Sequence, residues 1–174
     1  HALPATLEAL RRHLFNNVIW PDFTRLPTPG QAIVELVPVE FGQRLDLAGL
    51  HIEVLPAAHT VPACGFAVDT PSGWWVYTGD TGPNPPLWQR LRGRRVAQLV
   101  IETAFSDDER ALAEMSRHHC PSSLAQELVQ FDAETRVAIT HIKPGEMAAV
   151  TGQIAALGID RPLFALARGD RFSF

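Results

Sequence analysis

The chain has 174 residues, 46% of them hydrophobic and 20% charged, with a formal net charge of -4. This balance fits one globular unit with a buried core, and an acidic chain has no electrostatic grip on bulk nucleic acid or a membrane surface. Its two cysteines, Cys64 and Cys120, have no C-x-x-C partner, which excludes a disulfide framework and a thiolate zinc site and favours a reducing compartment; no run reaches the ~18 apolar residues of a membrane helix.

In chain order, Leu7, Leu10, Leu14 and Phe15 form one stripe over 3–17, with Pro4 near its start, which predicts an amphipathic helix. Its Arg11 and Arg12 fall on the solvated side. From 16 to 29 the apolar Val18, Ile19, Trp20 and Phe23 are broken up by Pro21, Pro27 and Pro29, so a loop pressed onto the body is expected. Strands are expected at 33–39, 51–55 and 64–69, and Pro71-Ser72-Gly73 turns the last of these into a strand starting at Trp74-Trp75. One of the two tryptophans should be core and the other partly exposed.

After that strand the rhythm changes. Helices are expected at 86–91, 109–115, 122–131 and 146–157, alternating with strands at 96–102, 136–141 and 163–167, and Gly158 caps the last helix. A β layer followed by α/β alternation is an α/β fold, and nothing marks a domain boundary, so 1–174 reads as a single domain. The organising stretch is Trp74-Trp75-Val76-Tyr77-Thr78-Gly79-Asp80-Thr81-Gly82-Pro83, where a strand stops abruptly and leaves Asp80 at its tip between two glycines.

Four polar residues fall at or just after strand ends: His59, Asp80, Glu102 and His141. Strand ends are where ligand groups converge in layered α/β folds. Imidazoles and carboxylates without thiolates are the ligand set of a hydrolytic zinc or manganese site.

Ala58-His59-Thr60-Val61-Pro62, Thr78-Gly79-Asp80-Thr81-Gly82, Ile101-Glu102-Thr103-Ala104, Ser116-Arg117-His118 and Thr140-His141-Ile142-Lys143-Pro144 occur in the order found in the metallo-β-lactamase superfamily. The chain most resembles its class II 3′,5′-cyclic-nucleotide phosphodiesterases, with tRNase Z, the transfer-RNA 3′ endonuclease, as a cousin. Leu10-Arg11-Arg12-His13-Leu14-Phe15 and Ile19-Trp20-Pro21-Asp22-Phe23 are similar to the segment preceding the β layer in those phosphodiesterases. The resemblance implies a four-layer αββα sandwich of which this chain carries the C-terminal portion, without its N-terminal half. It makes His59, Asp80 and His141 metal ligands, with Asp80 bridging two Zn2+ (or Mn2+) ions. It makes His118 the donor of a proton to the leaving oxygen and Glu102 the acid that orients it. The implied reaction is hydrolysis of cyclic AMP or cyclic GMP, a small-molecule substrate with no nucleic-acid or membrane partner, in a cytoplasmic protein with export left open and a homodimer allowed. The rivals are a tRNase Z-type endonuclease and a non-catalytic interaction half-domain.

Two departures bear on these roles. The superfamily's His-x-His-x-Asp-His string is absent, so this chain alone should bind metal poorly. Arg117 stands where the family tends to have glycine and His119 where an apolar residue is usual, which makes His119 a substitute for His118 as the acid. Lys143 reads as solvated, His13 and His51 as structural, and both cysteines as buried or incidental.

Overall fold

The computed structural model describes residues 1–173. Its framework is one seven-stranded mixed sheet whose spatial order follows the sequence: β1 (Arg44–Leu47), β2 (Leu50–Pro56), β3 (Cys64–Val68), β4 (Trp74–Tyr77), β5 (Val96–Glu102), β6 (Arg136–Thr140) and β7 (Leu163–Ala165). The first four strands form an antiparallel meander, and β4 to β7 run parallel, joined by helical crossovers. Register pairs Tyr77 with Val100 and Glu102 with Thr140, so β4, β5 and β6 end along one edge; a bulge at Trp74/Trp75 takes up a register shift at the far end of β4.

Five helices accompany the sheet: α1 (Pro4–His13), α2 (Pro85–Leu91), α3 (Arg110–Ser116), α4 (Pro121–Leu128) and α5 (Met147–Ala156). Helices α2, α4 and α5 lay Leu87, Trp88, Leu91, Leu124, Leu128, Val150 and Ile154 against Leu55, Ala67, Val76, Leu99, Ile101, Val137 and Ile139. The sheet residues of this set lie two apart along their strands, as one face of a pleat requires. Burial of this apolar surface is the main source of stability. On the opposite face Val54 packs with Val39 and Leu45, joined by Leu3, Leu47, Ile52, Cys64 and Phe66.

Several expectations are corrected here. Residues 33–39 are not a strand: the Ile33 and Val34 amides donate to the Leu26 and Phe23 carbonyls of the preceding loop, and Val37 and Val39 bond Ala2. The strand that precedes β2 is instead β1, which is not among the expected elements. The loop at 16–29 is not pressed onto the body, since Val18, Ile19 and Trp20 are 85%, 66% and 52% exposed. The helix at 3–17 stops at His13, where the next residues turn away and Phe15 stacks edge-on with Phe23. Trp74 and Trp75 are both half-buried, the first under the Arg94 guanidinium and the second against Phe172. His13 is exposed, and His51 pairs with Asp46 on the surface.

Candidate functional site

The turn after β4 ties the site together. Gly79 has φ 65°, and a Cβ there would lie 2.8 Å from the Cys64 carbonyl, so glycine is needed for the chain to pass. Thr81, fully buried, then holds two neighbours. Its amide donates to Glu102 Oε1 at 3.0 Å, while its hydroxyl accepts from the Ala58 amide at 2.9 Å. Asn84 adds a bond from Nδ2 to the Pro56 carbonyl at 2.9 Å. The acid-bearing turn is thereby pinned to the loop that bears His59 and to the strand that bears Glu102.

His59, Asp80 and His118 bring one ligand atom each to within 4.8 Å of one another. His59 Nδ1 donates to the Arg117 carbonyl at 3.2 Å, and Arg117 Nη1 donates back to the His59 carbonyl at 3.3 Å. His118 Nδ1 shares a hydrogen with Glu102 Oε1 across 2.5 Å. With Nδ1 committed on both rings, Nε2 of each is left to bind a cation or to carry a proton. His141 joins from the end of β6, with Nε2 3.4 Å from Asp80 Oδ2 and its ring centroid 5.3 Å from that of His118. Imidazoles and a carboxylate converging without a thiolate fit a divalent cation.

All four strand-end residues, together with His118, are gathered at one edge of the sheet. The group whose ligand atoms lie within 4.8 Å of one another contains His118, the expected proton donor, and His141 stands beside it against Asp80. His119 does not reach this space: it is fully buried, and its Nδ1 bonds Ser123 Oγ at 3.0 Å. Lys143, read as solvated, donates from Nζ to His141 Nε2 at 2.9 Å.

Sequence reasoning missed Arg117 as the group that orients His59. Its backbone is left-handed (φ 55°, ψ 55°), closing α3 and aiming the carbonyl at the His59 ring. A Cβ on Gly82 would lie 3.3 Å from the Arg117 backbone, so the two turns are in close contact. The glycine usual at this place was the signal, because glycine is the default residue for that conformation.

Electrostatics set the Glu102–His118 pair apart. Burial pushes the Glu102 carboxyl up to about 8, against the pull of the Thr81, His119 and Ala104 amides. Burial and the neighbouring His59 push the His118 imidazole down to about 4. Between those limits the pair holds one titratable proton along a very short hydrogen bond.

The sequence profile described as Beta-lactamase superfamily domain matches residues 2–156. A protein of Yersinia pestis named as a probable 3′,5′-cyclic-nucleotide phosphodiesterase is 28% identical over 172 residues, covering 83% of this chain and 49% of its own length. The metallo-beta-lactamase fold protein YhfI from Bacillus subtilis superposes with TM-score 0.65 at 16% identity, over 77% of this chain and 52% of that one. Zn(2+)-bound PqqB from Methylobacterium extorquens superposes with TM-score 0.65 at 14% identity, over 99% of this chain and 61% of its own. The chain spans about half the length of the curated relative it matches.

Proposed function

The chain belongs to the Beta-lactamase superfamily, and from that premise we propose that it carries the metal-holding and proton-donating part of an enzyme that hydrolyses 3′,5′-cyclic nucleotides to 5′-nucleotides. Members of this superfamily are generally hydrolases, and the fold typically binds divalent metals. The observation that carries the proposal is the group His59, Asp80 and His118 set beside the fully buried Glu102. The substrate follows the Yersinia pestis relative. The same reading takes zinc as the metal, two ions in the complete site, and a cytoplasmic setting.

His59, Asp80 and His141 would hold the metal, which when bound polarises a phosphoryl oxygen and acidifies a water near neutral pH. This chain's own contribution is proton delivery. A water oxygen bonds to phosphorus and gives up a proton to solvent, the P–O3′ bond breaks, and the departing 3′ oxygen takes a proton from His118 Nε2. The Glu102 proton moves onto His118 Nδ1 in the same motion, leaving a carboxylate that the Thr81, Ala104 and His119 amides already face at 3.0, 3.1 and 3.3 Å. An alkoxide is a poor leaving group, so a positioned donor of this kind is typically worth 10²–10⁴ in rate.

The test uses the gene product that carries this chain, assayed on cyclic AMP, cyclic GMP and a transfer-RNA precursor. Cyclic-nucleotide hydrolysis, lost in Asp80→Ala, is expected. Cleavage of the RNA alone would move the assignment to a 3′ endonuclease. No hydrolysis of either by a metal-loaded protein would favour a non-catalytic interaction domain.

A further inference from the structure

His141 follows β6 in left-handed backbone, φ 59°, a conformation a histidine holds only where its surroundings over-determine it. Its Nε2 meets Lys143 Nζ at 2.9 Å and Asp80 Oδ2 at 3.4 Å. A lysine ammonium has donors and no acceptor, so Nε2 must turn its lone pair toward Lys143. His141 Nε2 and Asp80 Oδ2 are then two acceptors at close approach, an arrangement that needs a neighbouring cation, and here the cation is the ammonium itself.

Lys143 is held in place for this. Its amide donates to the Ala104 carbonyl at 3.0 Å, and its own carbonyl accepts from the Glu146 amide at 3.0 Å. Its ammonium stands 6.0 Å from the centre of the Phe105 ring. The side chain beyond Cα is flexible and carries a compact charge, so it can leave His141 without moving the backbone.

We propose that Lys143 is a built-in stand-in for the metal at His141: it occupies that ligand in the metal-free protein, releases it when a metal enters, and then holds an anionic oxygen of the substrate. The assignment rests on the metal-hydrolase reading above and deepens it, because the freed ammonium suits a phosphate-bearing substrate. It also gives the two sides of the site unequal metal affinities, with the His141 side loading against an internal competitor.

The probe is Zn2+, titrated into the metal-free gene product that carries this chain against a chromophoric chelator, followed by inorganic phosphate titrated into the zinc-loaded forms. Lys143→Met keeps the hydrocarbon stem and loses the charge; it should bind zinc about 10- to 100-fold more tightly, the scale of a charge-assisted hydrogen bond that no longer has to break. It should also lose most of its affinity for phosphate, which Lys143→Arg should retain. Zinc affinity that is equal or weaker in Lys143→Met overturns the stand-in role, and equal phosphate affinity overturns the anion role. Zinc bound by neither protein overturns the metal reading, and this assignment with it.

Discussion

The strand ends that carry the site and the stretch 14–38 are both rich in apolar residues, yet they fold to opposite results. Around the site, Leu99, Ile101, Val137 and Ile139 alternate along strands with ladder partners on both sides, and helices seal one face of them. In 14–38, Pro21, Pro27 and Pro29 lack the amide a ladder needs, and Val18 and Ile19 stay in solvent. Apolar composition alone thus says little about burial; what decides it is whether the backbone between the apolar residues can join a ladder. The rigid region is where the chemistry converges.

The sharpest way to break this contrast is to truncate one side chain in each region. Leu99→Ala, at a fully buried position in the helix-covered core, should lower unfolding stability by about 2–5 kcal/mol in urea denaturation. Trp20→Ala should cost much less in spite of its larger ring; a loss equal to that of Leu99→Ala would show that 14–38 is part of the cooperative core.

Next in size is the pin between the turns. Thr81→Val keeps the shape but strands the Ala58 amide that its hydroxyl serves, and should cost about 1–3 kcal/mol by the same measurement. Zinc affinity of that variant should fall as well, since the His59 loop loses its tie to the Asp80 turn.

A third expectation concerns pH in the metal-free protein. From pH 4.5 to 6.5 folded Glu102 retains a proton that the unfolded chain has released, while unfolded His118 binds one that the folded chain refuses. Those two contributions oppose each other, but the buried His119 imidazole, also pushed down to about 4, adds a second proton that only the unfolded chain binds, so stability should rise with pH in that window by at most about 1.4 kcal/mol per unit. From about 6.5 to 8 only Glu102 remains; the folded state binds more protons, and stability should fall with rising pH by at most about 1.4 kcal/mol per unit. Glu102→Gln should remove that fall, and a wild-type curve level from about pH 6.5 to 8 would show Glu102 to be ionised throughout.

The smallest effects belong to the outer stretch. Val18→Ser and Ile19→Ser should each change stability by no more than about 0.5 kcal/mol, as surface substitutions do.

The same contrast explains what could be read in the sequence. Strands β2 to β6 were legible because β-branched and aromatic runs end at Gly and Pro turns, and His59, Asp80, Glu102 and His141 were legible as polar residues at those ends. Strand β1 was hidden because Arg44-Leu45-Asp46-Leu47 is too short to show a period. Arg117 was hidden for another reason: it acts through its carbonyl, and a backbone atom leaves no trace in residue type. The Lys143–His141 contact was equally unreadable, since a lysine beside a Pro-Gly turn differs from a solvated one only by where its chain reaches.

The bulge at Trp74/Trp75 works as a vernier for the site. Strand β4 leaves the hairpin out of step with β5, and the mismatch is absorbed at its first residues, so that Val76 and Tyr77 meet Leu99 and Val100 in regular register. Carried one residue further along, the same slip would swing Val76 off the helix-covered face and turn the Asp80 tip away from Glu102 and His141. Moving the irregularity along β4 would therefore detune the metal group without altering any residue that contributes to it.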